Sequence, residues 1–283
     1  MVDFIQALND PATAFLRYAL LAGLLASVSL GVIGSYVVTR RITYIAAAIA
    51  HSVLGGIGAA VYLNVVKHCH WCDPMLGATA AALLAAVVIG LVSLYARERE
   101  DTVISAVWVI GMSVGLLFFA KTPGYINPMN YLFGNILLIS ARDVWLVAAM
   151  GAVAAAVGLG FYNKLLAVCF DEEFAALRGV RVKLYYLLLL CLTAITVVLL
   201  VRMVGIVLVI ALVTLPAAIA GHFARQLWQM MIAAVLFSMV FVASGLALSY
   251  PTNLPSGPVI VLIAGAAYLM VALTVRLSRR HGG

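Results

Sequence analysis

Acidic residues are scarce in this sequence: ten Asp and Glu stand among 283 positions, and charged residues of both signs reach only 10%. Soluble globular chains carry about a quarter charged residues, so a water-facing surface is excluded for most of this one. The same scarcity weighs against a gradient-driven secondary transporter, which would need membrane carboxylates for coupling. Only Asp143 comes near an apolar run, at its outer edge. No Walker A loop and no His-Glu-x-x-His pair occur anywhere, which excludes ATP binding by that loop and zincin-type proteolysis. A basic leader is also missing, since the first residues carry Asp3 and Asp10, and no cleavable signal peptide is expected. There are four cysteines; Cys169 and Cys191 fit no pattern and read as packing residues.

What remains is hydrocarbon. With 66% hydrophobic residues and a mean hydropathy of +1.16, the chain reads as an all-α, polytopic integral membrane protein of about eight or nine transmembrane helices, forming one transmembrane domain over residues 1–283. Residues 1–16 read as a short interfacial segment. The apolar runs are Tyr18–Val38, Ile42–Asn64, Met75–Tyr95, Val103–Ala120, Val144–Tyr162, Leu184–Val201, Gly205–Gly221, Leu227–Tyr250 and Pro258–Val275. The run from Gly205 is barely long enough to cross. If it or the first run stops short, the count falls to eight and the N-terminus is expected to move inside.

Alternating the loops from the Arg40–Arg41 turn sorts the 17 Lys and Arg residues. Arg40, Arg41, Arg97, Arg99, Lys164, Arg178, Arg181, Lys183, Arg225, Arg276, Arg279 and Arg280 fall on one side. Arg17, Lys67, Lys121, Arg142 and Arg202 fall on the other. Twelve against five orients the first set to the cytoplasm, with the N-terminus outside and the C-terminus inside. The net charge of +7 therefore reflects membrane orientation and gives no indication of nucleic acid.

Three stretches carry chemistry. The first is the run from Arg40 to Asn64, which places His51 about 13 Å from its Arg-rich end, near the bilayer midplane. Small residues recur at four-residue steps, Ala47, His51, Gly55 and Ala59 on one row and Ala48, Ser52, Gly56 and Ala60 on the next. That face admits other helices to backbone contact, so His51 is expected to face protein or a cavity. A packing histidine bonded to a carbonyl is the plain reading. Ionisable groups inside membranes mark ion pathways, and neutral imidazole is a good metal ligand, so His51 is a candidate ligand.

The second stretch, Asn64 to Pro74 on the outer side, packs His68, Cys69, His70, Cys72 and Asp73 together. These are the ligand types of zinc or copper sites. A Cys69–Cys72 disulfide and an inert loop are the alternatives.

The third is Cys169–Lys183 on the inner side. Asp171, Glu172 and Glu173 suit a helix start, Arg178 its end and Gly179 the position just past it. Phe170, Phe174 and Leu177 give this short helix an apolar face, which either rests on the membrane surface or docks a partner. In the second half, Gly205 and Pro216 bracket a short run where pathway backbone is expected, and His222 reads as interfacial. An intramembrane hydrolase pairing Ser244 or Ser249 with His222 is conceivable, but those residues lie toward opposite ends of a span.

In four places the residues resemble the permease subunit of bacterial ABC importers for zinc, manganese and iron, the ABC-3 family. These are RRITYIAAAIAHSVLGG, NYLFGNIL beginning at Asn130, RMVGIVLVIALVTLPAAIA and PSGPVIVL, and the likeness runs from about Arg17 to Arg276. The resemblance implies a chain in the bacterial cytoplasmic membrane that is not itself an enzyme. It implies a cytoplasmic ATPase subunit, an extracytoplasmic metal-binding protein and a second permease chain, identical or not, as partners. It assigns the loop with Glu173, Phe174, Ala175, Ala176 and Gly179 to docking on the ATPase. It implies no resident cofactor, and a divalent metal ion as cargo. Family members commonly place Asp four residues before the histidine; here that position is Ala47. Tyr44, Ser52 and Asn64 are the nearest polar alternatives on the His51 helix. Loss of a hard carboxylate, together with the His/Cys-rich outer loop, favours zinc over manganese or ferrous iron. A permease of the same architecture carrying a siderophore or cobalamin is the rival that this resemblance disfavours.

Overall fold

The computed structural model describes residues 13–69, 71–95, 100–124, 131–132, 139–252 and 254–281. Residues 1–12, His70, Arg97, Arg99, Asn130 and most of the NYLFGNIL stretch lie outside that set. Among the described residues there are eleven α-helices and no strand. They are α1 Ala14–Arg40, α2 Thr43–Lys67, α3 Pro74–Tyr95, α4 Glu100–Lys121, α5 Ala141–Gly160, α6 Tyr162–Phe170, α7 Glu172–Leu177, α8 Val182–Val204, α9 Ile206–Phe223, α10 Leu227–Thr252 and α11 Ser256–His281. Eight of these are long and apolar enough to cross a membrane; α9 is shorter, and α6 and α7 shorter still.

Side-chain contacts fix the direction of each helix. Thr39 Oγ1 donates to Met230 Sδ at 3.7 Å, which places the start of α10 beside the Arg40 end of α1. Gly23 faces Val242 and Gly31 faces Val235, so α1 and α10 are antiparallel along their length. The chain therefore leaves α8 toward the outer side and has returned to the inner side before α10. The 18-residue α9 makes that return. Gly34 of α1, six residues before the inner end, faces Val213 in the middle of α9. At about 1.5 Å per residue, α9 then begins well inside the bilayer. Gly205, with φ 88, breaks the chain between α8 and α9 in a conformation open to glycine. Alternation of the loops is therefore kept by eight long helices and one short one among the described residues, and the Arg40 end of α1 lies at the same face of the bundle as the start of α10, as the Lys and Arg count expects. The count of long apolar helices falls to eight, as expected if the run from Gly205 stopped short, but the N-terminus does not change ends with it: α9 still returns the chain to the Arg40 end, and α1, about 40 Å long, keeps its N-terminal end at the opposite face.

Helices α8 and α9 form the middle of the bundle. α8 packs on α1, α2, α3 and α5, and α9 on α1, α2, α10 and α11. Around them stand α2, α3 and α4 on one side and α1, α5, α10 and α11 on the other. The polar atoms inside are largely satisfied locally, as lipid demands. Ser27, Ser35, Thr193 and Thr196 each donate to a carbonyl four residues back, and Tyr36 donates across to the Gly158 carbonyl at 2.9 Å. Asp143 closes a capping box with Ser140 at the start of α5, and this local task accounts for the carboxylate nearest a span.

The small-residue rows of α2 do what their spacing predicts. Gly55 and Gly58 lie against Gly111 and Gly115 of α4, where an added methyl on Gly58 would come within 2.6 Å of the Gly115 carbonyl oxygen. Gly56 meets Gly77 of α3 so closely that a side chain on either would run into the other's backbone. Gly56→Val is therefore expected to force α2 and α3 apart, at a cost of about 1–3 kcal/mol. It should lower the apparent melting temperature in detergent, whereas Gly265→Ala, which meets open space, should not.

Candidate ion path and cytoplasmic coupling face

Helix α2 is the least hydropathic of the eight candidate spans and the most enclosed. In lipid that combination is physically coherent, because the helix with the most small and polar residues is the one best removed from hydrocarbon. His51 sits two turns into it and is only 8% exposed. Its imidazole stacks on the indole of Trp108 from α4, with centroids 4.4 Å apart and planes 9° from parallel. Trp108 donates its Nε1 proton to Met112 Sδ at 3.3 Å and touches Tyr44 at 5.9 Å, whose hydroxyl pairs with Ser105 Oγ at 2.7 Å. The Nδ1 atom of His51 is buried with no hydrogen-bond partner. A stacked indole occupies the face of the imidazole and not the in-plane lone pair, so the ring is held in position without using up the atom that could bind an ion.

The plain reading, a histidine bonded to a carbonyl, is thus not what Nδ1 does. The neighbouring polar groups on α2 are otherwise engaged. Ser52 Oγ donates to the Ile49 carbonyl at 2.7 Å, Tyr44 pairs with Ser105, and Asn64 Nδ2 reaches the Cys72 carbonyl at 3.4 Å. Ala47 offers no ligand and is buried. Among the described residues no three of His, Cys, Asp and Glu come together as a metal site. Trp108 and Met112 were not singled out from sequence. The available signal was that Trp108, Gly111, Met112 and Gly115 recur at three- and four-residue steps, a second small-residue face that marks the partner of α2.

The outer turn between α2 and α3 divides its residues among different tasks. His68 is exposed and left-handed, with φ 52, at the end of α2. Asp73 Oδ1 accepts from Met75 N at 2.7 Å, capping α3. Cys72 Sγ donates to Cys69 Sγ at 2.9 Å, and that bond is the main cause raising the Cys72 thiol above its ordinary value. On the inner side, burial in α6 pushes the Cys169 thiol up to about 12, with the Arg40 charge pulling the other way. A raised thiol pKa means little thiolate at neutral pH, and the thiolate is the reactive form. Cys169 is accordingly expected to resist a maleimide added from the cytoplasmic side at pH 7 and to react only after denaturation, as mass spectrometry would read.

The cytoplasmic loop folds as its sequence predicts, into a short helix. Asp171 caps it by accepting from Phe174 N at 2.9 Å, and Gly179, with φ 76, ends it. Ala175 is fully buried against the bundle, while Phe170, Phe174 and Leu177 are 70%, 48% and 87% exposed. Glu173, Ala176 and Gly179 are exposed beside them. The Arg178 guanidinium lies 4.6 Å over the Phe174 ring and helps hold that ring outward. Ala175 therefore anchors α7, and its neighbours form an apolar face directed away from the permease body. At the other end of the bundle, Ser249 Oγ donates to the Leu254 carbonyl at the outer turn, whereas His222 is exposed near the inner end of α9.

The chain matches the family described as "ABC 3 transport family" over residues 12–275. It is 38% identical over 98% of its length, and 93% of the relative's, to a "Probable metal transport system membrane protein" of Chlamydia trachomatis. It is 31% identical, over 92% of its length and 90% of the relative's, to the manganese transport system membrane protein MntC of Listeria monocytogenes. In structure it resembles a chain of "PsaBC from Streptococcus pneumoniae in complex with Fab", with a TM-score of 0.83, 28% identity, and coverage of 95% and 94% of the two chains. A match of this extent, on a bundle of eight candidate spans and one short helix, establishes the protein as a multi-pass membrane permease of the ABC 3 transport family.

Proposed function

We propose that this chain is the permease subunit of an ATP-driven importer of divalent transition-metal ions, with zinc the preferred cargo. The observation that carries the reading is His51, whose Nδ1 is buried and unpartnered in the most enclosed of the eight candidate spans. An unpartnered polar atom there costs free energy unless something occupies it for part of the transport cycle. A single imidazole per chain is a weak stop, which suits a conduit because the ion must also leave. His51 of a second permease chain, or groups brought in by helix movement, would complete the shell. The outer residues His68, Cys69, His70, Cys72 and Asp73 are the candidates for handing the ion over from an extracytoplasmic metal-binding protein.

The chain's own contribution is a protein-lined route, since an unassisted divalent ion cannot cross hydrocarbon. ATP hydrolysis belongs to a separate cytoplasmic subunit that docks on the exposed face of α7. Closure of that ATPase pair moves α7, and the helices around His51 alternate between outward and inward access. Zinc fits the imidazole and the absence of a carboxylate at Ala47 better than manganese does. Manganese is the second reading, favoured by the relatives named manganese permeases, at 28% and 31% identity. Competition in proteoliposomes containing the ATPase and the binding protein tests the choice. Unlabelled zinc should suppress labelled-metal uptake at lower concentration than manganese does, and the reverse order would assign manganese.

A further inference from the structure

We propose that Arg40 and Glu172 form the joint through which movement of α7 reaches α2, and with it His51. The proposal rests on reading the chain as the permease of an ATP-driven importer. Arg40 is the last residue of α1, and after Arg41 and Ile42 the chain enters α2. Glu172 is the first residue of α7. Though 132 positions apart, the two side chains form an ion pair through Arg40 Nη2 and Glu172 Oε1. The Arg40 guanidinium also lies 5.7 Å over the ring of Tyr186 in α8. Tyr186 is only 4% exposed, and its hydroxyl stands 3.3 Å from Ser93 Oγ of α3. One guanidinium therefore gathers the cytoplasmic ends of α1, α7 and α8 and, through Tyr186, α3.

Each charge also suits its own helix, the cation at the C-terminal end of α1 and the anion in the first turn of α7. With side chains 25% and 39% exposed, such a pair adds little to stability. Its position explains it better. The turn at Arg41, with φ 62, is the one covalent link between α1 and α2, which otherwise barely touch. A pull on Arg40 from α7 therefore reorients the start of α2, two turns from His51, while Ala175 keeps α7 seated on the bundle.

The test uses the full complex in proteoliposomes, with ATPase and binding protein, and compares wild type with Arg40→Glu, Glu172→Arg and the double reversal. Zinc moved per ATP hydrolysed is read alongside the amount of ATPase retained on purification. Each single reversal should cut zinc per ATP by about tenfold or more with the ATPase still bound, a typical scale for coupling between sites. The double reversal should recover to within about threefold of wild type, as the cycle for an interacting pair requires. Single reversals that leave zinc per ATP unchanged, or a double reversal no better than the worse single, would overturn the joint. If a reversal fails to assemble, Glu172→Gln decides, since it removes the charge without creating repulsion; unchanged coupling in that variant overturns the proposal. A wild-type complex with no ATP-driven uptake would instead defeat the importer reading itself, a different result from normal uptake indifferent to these changes.

Discussion

His51→Ala is expected to reduce ATP-driven zinc uptake by at least about a hundredfold while leaving the amount of folded permease in the membrane near wild type. The effect on transport is large because no group of three His, Cys, Asp or Glu comes together among the described residues to take over the ion, and an ion without a ligand faces the full cost of dehydration. The effect on folding is small because Nδ1 makes no hydrogen bond that the substitution would break. What is lost is the stack on Trp108, about 0.5–1.5 kcal/mol beyond area burial. His51→Phe keeps an aromatic ring against the indole and removes the ligand, so it should transport as poorly as alanine while recovering stability. Uptake by vesicles and a thermal melt on the same preparation check both halves.

The second large effect is expected at α7. Phe174→Ala combined with Leu177→Ala should release the ATPase from the permease. Both side chains stand away from the bundle, with Leu177 87% exposed, so their removal does little to the permease alone. On a docked surface each would bury its apolar area, worth roughly 2 kcal/mol. Losing two such contacts weakens association by about 4 kcal/mol, nearly a thousandfold in Kd. Ala175→Leu should also lose the ATPase, for a different reason: position 175 has no exposed surface, so a larger side chain unseats α7 itself. Co-purification separates the cases when combined with a melt, because only Ala175→Leu should lower the stability of the isolated permease.

Much of this was legible in the sequence, and the particular residues show why. The long apolar runs became helices because a bilayer leaves the backbone no other way to satisfy its hydrogen bonds. Alternating the loops put Arg40 and the start of α10 on one side of the chain, and the Thr39–Met230 contact brings those two ends together. Gly179 and Asp171 marked α7 because a left-handed exit and a side-chain cap are local chemistry, readable from a few neighbouring residues. Gly205–Gly221 was ambiguous for the reason the fold makes plain. That helix starts inside the membrane after the Gly205 break, so its length is shorter than a crossing. The run read as Val144–Tyr162 ends at Gly160, and Tyr162 opens the separate helix α6.

Long-range pairings could not be read the same way. Trp108 lies 57 positions from His51, and Glu172 lies 132 from Arg40; only the folded bundle brings either pair together. In the outer His/Cys stretch the ligand-type residues also have local uses that spacing does not announce: Asp73 caps α3, and the Cys72 thiol donates a hydrogen bond to Cys69 Sγ.

The most direct test of the central claim is X-ray absorption at the zinc edge, on the complete transporter trapped with zinc in transit. The account predicts imidazole nitrogen at about 2.0–2.1 Å from the metal, present in the wild type and absent in His51→Ala. An unchanged imidazole signal in the variant, or a metal shell with no imidazole in the wild type, would contradict it and return His51 to the role of a packing residue.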